Sequence, residues 1–347
     1  VAGHGVRQGN AVNQLKTLLN KSKIPLIFSR LGQDLLPHNH PYVYGQAGLK
    51  GSKYCKKIMN SSDLVISLGC RLAPQFAGLN FEAFNNAEII MVDIDKSEIE
   101  KLGDSIDFSI NCDVKLFLDG INNKLPDNDF PSWDSWRNYC DNLKKNNPIV
   151  LENQKKNPMD LYYFMQVLGD ISHQKNVLVT DAGSNYYVGG TVWGFEKGQR
   201  EICSGTNAAM GTTIPLAIGC AVAKPDFQIL AVTGDGSLEL NIQELKTISH
   251  YSYNIKLFVI NNGGYVSMKK WQDDVFDGRR IDTSESTGAG TLNLKKIANA
   301  FDLDYLLIND YKNVNQQLSE LMNNPNPVFV EVITDNQQRI VEAFKDN

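Results

Sequence analysis

Two short polar segments in the second half of the chain carry residue types that bind metal ions. Gly-Asp-Gly at 234–236 follows the apolar run 229–232, and Asn-Asn-Gly-Gly at 261–264 follows the apolar run 257–260. One carboxylate, one amide oxygen and main-chain oxygens left accessible by glycine form an all-oxygen set. Mg²⁺ prefers such ligands and shares its remaining positions with phosphate groups. The two segments therefore predict a site for a metal-bound diphosphate.

The elements around these segments read as a strand, a helix and a strand. Leu240, Ile242, Leu245 and Ile248 recur at roughly helical spacing, whereas the flanking apolar runs are short and continuous. Parallel strands joined by a helix end at the same edge of their sheet, and open α/β sheets bind ligands at that edge. We therefore expect Asp235 and Asn262 to face one crevice. Either segment alone is also typical of a plain turn, so the hypothesis depends on the pair.

Composition limits the classes of protein to consider. The chain has 347 residues, 42% of them hydrophobic, and a formal net charge of −5 with both signs interspersed. This length suits two ordinary domains, and the charge argues against nucleic acid and anionic membranes as partners. The sequence has no apolar run long enough to cross a bilayer and no secretory signal at its start, so we expect a cytoplasmic protein. The six cysteines are scattered, which favours reduced thiols over a disulfide framework.

The order of the patterns predicts two domains. Apolar runs typical of strands alternate with helical patterns across 1–125, and again across 159–347. Prolines and a polar Asn/Lys-rich run interrupt the alternation at 126–158, which we interpret as a linker. The predicted fold class is α/β, with two doubly wound parallel-sheet domains. The chain has no initiator methionine and opens on what reads as the end of a strand, so we expect a fragment of a longer polypeptide.

Two further glycine-containing turns follow predicted strands, and each has two interpretations. The Gly3-x-Gly5 turn is typical of a phosphate cradle at a helix N-terminus, but equally of a tight strand-to-helix turn. Gly183, Ser184 and Asn185 follow the apolar run 177–180. Small and amide side chains there can donate to a terminal phosphate, or can simply cap the next helix.

The paired segments resemble the signature of thiamine diphosphate enzymes, and the resemblance extends over nearly all of the chain. The pattern Met-Gly-x-x-x-Pro-x-Ala-x-Gly at 210–219 matches a family motif, and Asp-Ile-Asp-Lys-Ser-Glu-Ile at 93–99 resembles another. The chain is identified as a member of the acetolactate synthase branch. The resemblance implies a central nucleotide-binding-like domain and a C-terminal thiamine diphosphate-binding domain, and it implies that the family's N-terminal pyrimidine-binding domain is missing.

The resemblance also implies roles for individual residues. Asp235, Asn262 and the main-chain oxygen of Gly264 would hold Mg²⁺, and Met210 would hold the cofactor in a folded V that brings its aminopyrimidine to the thiazolium ring. Trp271 would shape the pocket for the acceptor substrate. The implied cofactor-binding residues are Gly183, Ser184, Asn185, Ala208, Met210, Gly234, Asp235, Gly236, Ser237, Asn262 and Gly264. We assign no residue of this chain as catalytic, because the activating glutamate is expected in the missing domain.

The implied reaction is decarboxylation of a 2-keto acid, with pyruvate as the expected substrate, followed by carboligation. In acetolactate synthases the acceptor is a second 2-keto acid. We interpret the segment from Asp277 to Gly288 as a loop on the substrate side, where Arg279 or Arg280 could meet a carboxylate or phosphate. The resemblance further implies a homodimer or homotetramer.

Two alternatives stay open. Segments 45–48 and 69–75 depart from the flavin-binding members and are closer to carboligases of sugar biosynthesis, which use a keto-sugar acceptor. These departures count against tight FAD binding without excluding it. A protein of another class, a non-catalytic cofactor-binding or assembly module, would retain the fold without the chemistry.

Overall fold

The computed structural model describes residues 1–84, 86–126 and 130–344. The chain divides into two compact units, and each is described by itself. The first comprises Val1–Ile149 and the C-terminal residues from Val341, and the second comprises Val150–Ile340. The predicted linker at 126–158 contains a helix, Asp134–Asn146, that belongs to the first unit. Cys140 of this helix is completely buried in the apolar core of the first unit, which explains why a polar segment forms a helix there.

In the first unit, short parallel strands alternate with helices. The strands are β1 (Leu26–Phe28), β2 (Val43–Gln46), β3 (Leu64–Leu68), β4 (Glu88–Asp93) and β5 (Phe108–Asn111). The helices are α1 (Gly5–Gln8), α2 (Val12–Ser22), α3 (Lys53–Asn60), α4 (Pro74–Ala77), α5 (Lys96–Glu100), α6 (Val114–Lys124) and α7 (Asp134–Asn146).

Ala2 joins the strand pairs of the first unit into one sheet. It forms parallel bridges with Phe28 of β1 and with Leu68 of β3. The resulting order is β2, β1, Ala2, β3, β4, β5, with every pairing parallel. If Ala2 is counted as the first strand, this is the 3-2-1-4-5-6 order of dinucleotide-binding sheets. The direction of winding changes between Ala2 and β3.

Both faces of the sheet are covered at β4, which explains the continuous apolar run of that strand. In β4, Ile89 and Met91 pack into an apolar cluster that includes side chains of α3 and α7, whereas Val92 packs into a cluster with α2 and α6. The alternation follows from the period of two along a strand. The first predicted doubly wound domain is therefore present.

In the second unit, a parallel sheet is likewise flanked by helices. Its strands are β6 (Asn176–Thr180), β7 (Arg200–Ile202), β8 (Gln228–Gly234), β9 (Ile255–Asn261), β10 (Asp304–Ile308) and β11 (Val328–Ile333). Its helices are α8 (Leu161–Ile171), α9 (Gly183–Val192), α10 (Thr213–Ala223), α11 (Asp235–Leu238), α12 (Leu245–Tyr251), α13 (Val266–Val275), α14 (Leu294–Ala300) and α15 (Val314–Met322).

The strand order of the second sheet, β10, β11, β9, β8, β6, β7, places the three site-bearing strands side by side. Thr180 of β6 pairs with Val232 of β8, and Gly234 of β8 pairs with Ile260 of β9. The carboxyl ends of β6, β8 and β9 therefore lie at one edge, as the sequence predicted.

The helix predicted between β8 and β9 is interrupted. A 3₁₀ segment at Glu239–Glu244 separates α11 from α12, and Asn241 inside it has non-helical backbone angles. Leu245 and Ile248 are buried as expected, but Leu240 is exposed. The Asn241 side chain instead donates a hydrogen bond to the main-chain oxygen of Gly211. This tertiary contact replaces the regular helix that the apolar spacing predicted.

Within the part of the chain that the structure describes, no helix combines the length and apolar character that a membrane crossing needs. All six cysteines are free thiols.

Candidate functional site

The Asp235 carboxylate connects the two polar segments at the carboxyl edge of the second sheet. Asp235 opens α11 directly after β8, and Asn262 follows β9 directly. The Oδ1 of Asp235 accepts a hydrogen bond from the main-chain nitrogen of Gly236 at 2.9 Å, and its Oδ2 accepts one from that of Gly264 at 3.1 Å. The structure therefore brings together the two segments that the sequence singled out.

Asn262 supplies an acceptor that the protein does not use. Its Oδ1 is buried and has no hydrogen-bond partner. A buried polar group left in this state costs about 1–3 kcal/mol, so such groups are rare without a reason. An oxygen ligand for a cation is one such reason, because a cation would replace the missing donor.

Gly264 completes the set of oxygens in a conformation that requires glycine. Its φ is +123°, and a Cβ there would lie 2.4 Å from the main-chain oxygen of Thr283. The Gly264 oxygen accepts from the main-chain nitrogen of Val266 at 3.2 Å, which leaves one lone pair available. Among the described residues, no group of three or more His, Cys, Asp or Glu side chains could hold a metal. A cation here would rely on amide and main-chain oxygens besides Asp235, the hard ligand set that Mg²⁺ accepts.

The electrostatics of Asp235 also favour a cation. Burial raises the pKa of Asp235, and hydrogen bonds from the nearby main-chain N–H groups, Gly236 and Gly264 among them, lower it without cancelling that effect. The ionised carboxylate is therefore incompletely compensated by the protein alone. A bound divalent cation would stabilise it.

Ser184 lies beside Asn262. Both line a cleft that Val266, Thr334 and Gln338 also border. The Ser184 and Ser267 hydroxyl oxygens are 3.5 Å apart. Helix α9 starts at Gly183 without a side-chain cap, so its first N–H groups have no partner from a capping side chain. An uncapped helix N-terminus next to hydroxyls is a favourable setting for a phosphate group.

Asn185 and Ser237 are also predicted to contact the cofactor. Their side chains make hydrogen bonds to other groups of the protein. The amide nitrogen of Asn185 donates to the Oδ1 of Asp181 at 3.0 Å and to the Val232 oxygen at 2.9 Å. The Ser237 hydroxyl donates to the Oδ2 of Asp181 at 2.5 Å and accepts from the main-chain nitrogen of Gly211 at 2.7 Å. A direct cofactor contact by either residue stays a prediction.

The segment around Met210 is fixed by hydrogen bonds, whereas the Met210 side chain is partly exposed. Ala208 adopts a left-handed conformation, with φ +44°. Gly211 is fixed through its nitrogen by Ser237 and through its oxygen by Asn241. Met210 is 38% exposed.

The predicted substrate-side residues lie on and after α13. Trp271 is 49% exposed, and the edge of its ring contacts Phe276 at a centroid distance of 4.9 Å. Arg280 makes a two-pronged ion pair with Asp273, with distances of 2.7 and 2.8 Å, so its guanidinium already has a carboxylate partner. Arg279 is exposed, and its Nε donates to the main-chain oxygen of Phe276 at 3.2 Å.

Asp181 and Tyr265 are residues that sequence reasoning missed. Asp181 follows β6 directly, and an acid at a strand end was the only available signal. Tyr265 covers Gly236, because a Cβ at 236 would lie 2.4 Å from its ring. Burial raises the pKa of Tyr265, and the negative charges of Glu239 and Asp235 add to that effect. Both residues reach the site through tertiary contacts that no local pattern shows.

The Gly3-x-Gly5 turn of the first unit serves close packing. A Cβ at Gly3 would lie 2.2 Å from the Gly69 oxygen, and one at Gly5 would lie 2.8 Å from the Gly69 Cα. The main-chain nitrogen of Gly5 donates to the Gly69 oxygen at 3.0 Å. Of the two interpretations of this turn, the structure favours the tight strand-to-helix turn. The flavoprotein-like interpretation has no support.

The second unit is thus a parallel α/β domain whose carboxyl edge holds a buried carboxylate beside an unpartnered amide oxygen. Comparison with known proteins identifies the class to which such a domain belongs. Residues 181–332 match the sequence profile of the thiamine pyrophosphate enzyme C-terminal TPP binding domain, and residues 1–121 match that of the thiamine pyrophosphate enzyme central domain. The chain therefore belongs to the thiamine pyrophosphate enzyme family.

Within that family, several acetolactate synthase large subunits are similar to this chain. The "Probable acetolactate synthase large subunit" of Methanococcus aeolicus is 29% identical over 96% of this chain and 57% of the relative. The large subunit from Cyanidium caldarium is 28% identical over 95% of this chain and 56% of the relative. The isozyme 1 large subunit of Escherichia coli (strain K12) is 26% identical over 95% and 58%. The chain thus spans somewhat more than half the length of the curated relatives it matches.

Proposed function

We propose that the full-length protein is a thiamine diphosphate- and Mg²⁺-dependent carboligase of the acetolactate synthase type. It would decarboxylate a 2-keto acid, with pyruvate as the first candidate, and join the remaining two-carbon unit to an acceptor carbonyl. The observation that carries the proposal is the buried, unpartnered Oδ1 of Asn262 beside the Asp235 carboxylate. These two residues lie at the edge where such sheets bind ligands.

The residues of this chain would bind and orient the cofactor. Asp235, Asn262 and the Gly264 main-chain oxygen would hold Mg²⁺, and the uncapped start of α9 with Ser184 would receive the diphosphate. The Met210 side chain, exposed on a fixed loop, would support the folded shape of the cofactor. Thiamine diphosphate, when bound, supplies the electron sink for decarboxylation.

The remaining machinery is proposed to come from outside the chain. The activating glutamate would belong to an N-terminal domain, and the site would be completed by a second subunit of a homodimer or homotetramer. We propose a cytoplasmic location. The packing of the Gly3-x-Gly5 turn against Gly69 counts against tight FAD binding.

The half-exposed Trp271 supports a small 2-keto acid as acceptor. An indole on α13 offers a flat apolar wall and narrows the space beside it. The narrowed space would leave less room for a larger keto-sugar.

Product analysis tests the proposal. Purified full-length protein is supplied with pyruvate, thiamine diphosphate and Mg²⁺, and released CO₂ and acetolactate are measured. Acetolactate formed from pyruvate alone supports the proposal. Decarboxylation with a branched product only after a keto-sugar is added would replace the acceptor, and cofactor binding without any CO₂ release would favour a non-catalytic module.

A further inference from the structure

The side chain of Asp181 is completely buried and collects several hydrogen bonds. Its Oδ2 accepts from the hydroxyls of Thr233, at 2.9 Å, and Ser237, at 2.5 Å. Its Oδ1 accepts from the amide nitrogen of Asn185 at 3.0 Å and from the main-chain nitrogen of Ala182 at 2.6 Å. No cation pairs with this carboxylate within the described ranges. Burying an ion this way is unfavourable unless its lone pairs are satisfied, as they are here.

The donors belong to different segments of the candidate site. Asn185 lies in the first turn of α9, which also bears Ser184. Thr233 and Ser237 lie on either side of Asp235. One buried carboxylate therefore holds the start of α9 and the metal-binding turn in register.

Ser237 extends the connection to the Met210 loop. The same hydroxyl that donates to Asp181 accepts from the nitrogen of Gly211, which is buried and follows Met210 directly. On its other side, Gly211 is held by the Asn241 amide and is in close contact with Leu240, whose Cβ would lie 2.6 Å from a Cβ at 211. The position of Met210 is thus linked, through two hydrogen bonds, to Asp181.

We propose that Asp181 is a positioning residue that sets the Met210 loop, the metal-binding turn and the start of α9 in the one arrangement that receives thiamine diphosphate. Asp181 acts through Ser237 and Asn185 rather than by touching the cofactor. The proposal rests on the proposed function, because the three segments form one site only if that cofactor binds there.

The chain offers a matched pair of substitutions. Thr233→Val and Ser237→Ala each remove one hydroxyl that donates to the Oδ2 of Asp181, but only Ser237 also accepts from Gly211. We expect Ser237→Ala to weaken thiamine diphosphate binding roughly tenfold, within the range measured for outer-shell partners of metal sites. The affinity of Thr233→Val for thiamine diphosphate should stay within about twofold of the wild-type affinity, because loss of the Thr233 hydroxyl leaves the hydrogen bond from Gly211 to Ser237 intact.

The experiment uses full-length protein and two measurements. Calorimetric titration with thiamine diphosphate and Mg²⁺ gives the affinities. Hydrogen exchange of the cofactor-free protein gives the protection of the Gly211 amide, which should fall in Ser237→Ala and not in Thr233→Val. Urea unfolding of both variants measures how far each loses stability.

The outcomes are distinct. A loss of affinity and of Gly211 protection confined to Ser237→Ala supports the proposal. Equal affinities in the two variants, or unchanged Gly211 protection in Ser237→Ala, would overturn it and leave Asp181 a purely structural residue. If the wild type itself binds no thiamine diphosphate with Mg²⁺, the proposed function fails, whereas the exchange data still report on the hydrogen-bond link.

Discussion

The carboxyl edges of the two sheets use glycine in opposite ways. In the first unit, Gly3 and Gly5 allow their backbone to approach Gly69, and the Gly5 nitrogen donates to the Gly69 oxygen. In the second unit, Gly264 turns the chain so that its main-chain nitrogen donates to the Asp235 carboxylate, and the Asn262 acceptor stays unpaired.

A glycine-rich strand end therefore indicates that other atoms approach the backbone closely, but it does not identify those atoms. Beside Gly3 and Gly5 another part of the same backbone fills the space, whereas beside Gly264 a buried carboxylate and an unpartnered amide oxygen follow the neighbouring strands. An unpartnered buried oxygen also occurs at Gln46, which ends β2 of the first unit, so such an atom indicates a binding edge only together with a carboxylate beside it, as at Asn262 and Asp235.

Asp235→Ala should produce the largest effect. Removing a metal ligand should cost more than the roughly 10- to 100-fold loss typical of an outer-shell partner. We expect no measurable thiamine diphosphate binding in calorimetric titrations of the full-length variant. Asp226→Ala, which removes an exposed carboxylate paired with Lys175, is the control and should bind normally. Undiminished affinity in Asp235→Ala, or in wild type with chelator, would refute the metal site.

Gly3→Ala should destabilise the first unit without altering the proposed thiamine diphosphate site. A Cβ at Gly3 would lie 2.2 Å from the Gly69 oxygen, so we expect a loss of about 1–3 kcal/mol in the free energy of unfolding. Gly120→Ala is the matched control, because Gly120 lies in α6 with open space where a Cβ would stand, and alanine should be neutral or stabilising. Urea unfolding measures both. Equal stabilities would mean that the Gly3 turn is not closely packed.

Gly236→Ala tests the same argument in the second unit. The new methyl group would meet the Tyr265 ring, so we expect a loss of about 1–3 kcal/mol, whereas Gly234→Ala has no atom within 4 Å of the added Cβ. Both variants are measured by urea unfolding without cofactor. If they lose the same stability, Tyr265 does not fix this turn.

Trp271→Leu should change acceptor choice. If the indole forms the acceptor wall, its loss should shift the preference between pyruvate and 2-ketobutyrate by about 1–3 kcal/mol, as for other apolar pocket changes. Competition assays on the full-length enzyme give the ratio of products. Phe276→Leu alters the ring that supports Trp271 and should have a smaller effect in the same direction. An unchanged product ratio in Trp271→Leu would remove this residue from the acceptor pocket.

The smallest expected effect is a change with pH in the stability of the metal-free protein. Burial raises the folded-state pKa of Asp235 above its unfolded value, so the folded state holds this proton more tightly. At pH values above its folded-state pKa, the ionised Asp235 carboxylate therefore lowers the free energy of unfolding. This loss of stability disappears as the pH falls through the folded-state pKa towards the ordinary pKa of 3.8. We expect the stability difference between Asp235→Asn and wild type to shrink over that window in urea unfolding. A constant difference would mean that the Asp235 pKa is not raised.

Sequence patterns predicted the sheets well because local periodicity reports burial. The runs that became β8 and β9 are largely apolar, and both strands are buried on both faces. Prediction failed where tertiary contacts override local preference. Asn241 breaks the expected helix to bond Gly211, and the polar segment 134–146 forms a helix because it covers the first unit's core.

The candidate site, like the fold, was predictable only in part. Asp235 and Asn262 stand out because each follows a recognisable strand, and strand ends of a parallel sheet share one edge. Asp181 was not predictable, because its partners Thr233 and Ser237 lie 52 and 56 residues away along the chain. Nothing local distinguishes it from an acid that merely ends a strand.

The most direct test of the central claim is a crystal structure of the full-length protein with thiamine diphosphate and Mn²⁺ in place of Mg²⁺, with the metal located by its anomalous scattering. We expect one metal ion bonded to the Asp235 carboxylate, the Asn262 Oδ1 and the Gly264 main-chain oxygen, at distances of about 2.1 Å, and also to the diphosphate. A diphosphate bound away from these oxygens, or a metal that leaves the Asn262 Oδ1 unpaired, would contradict it.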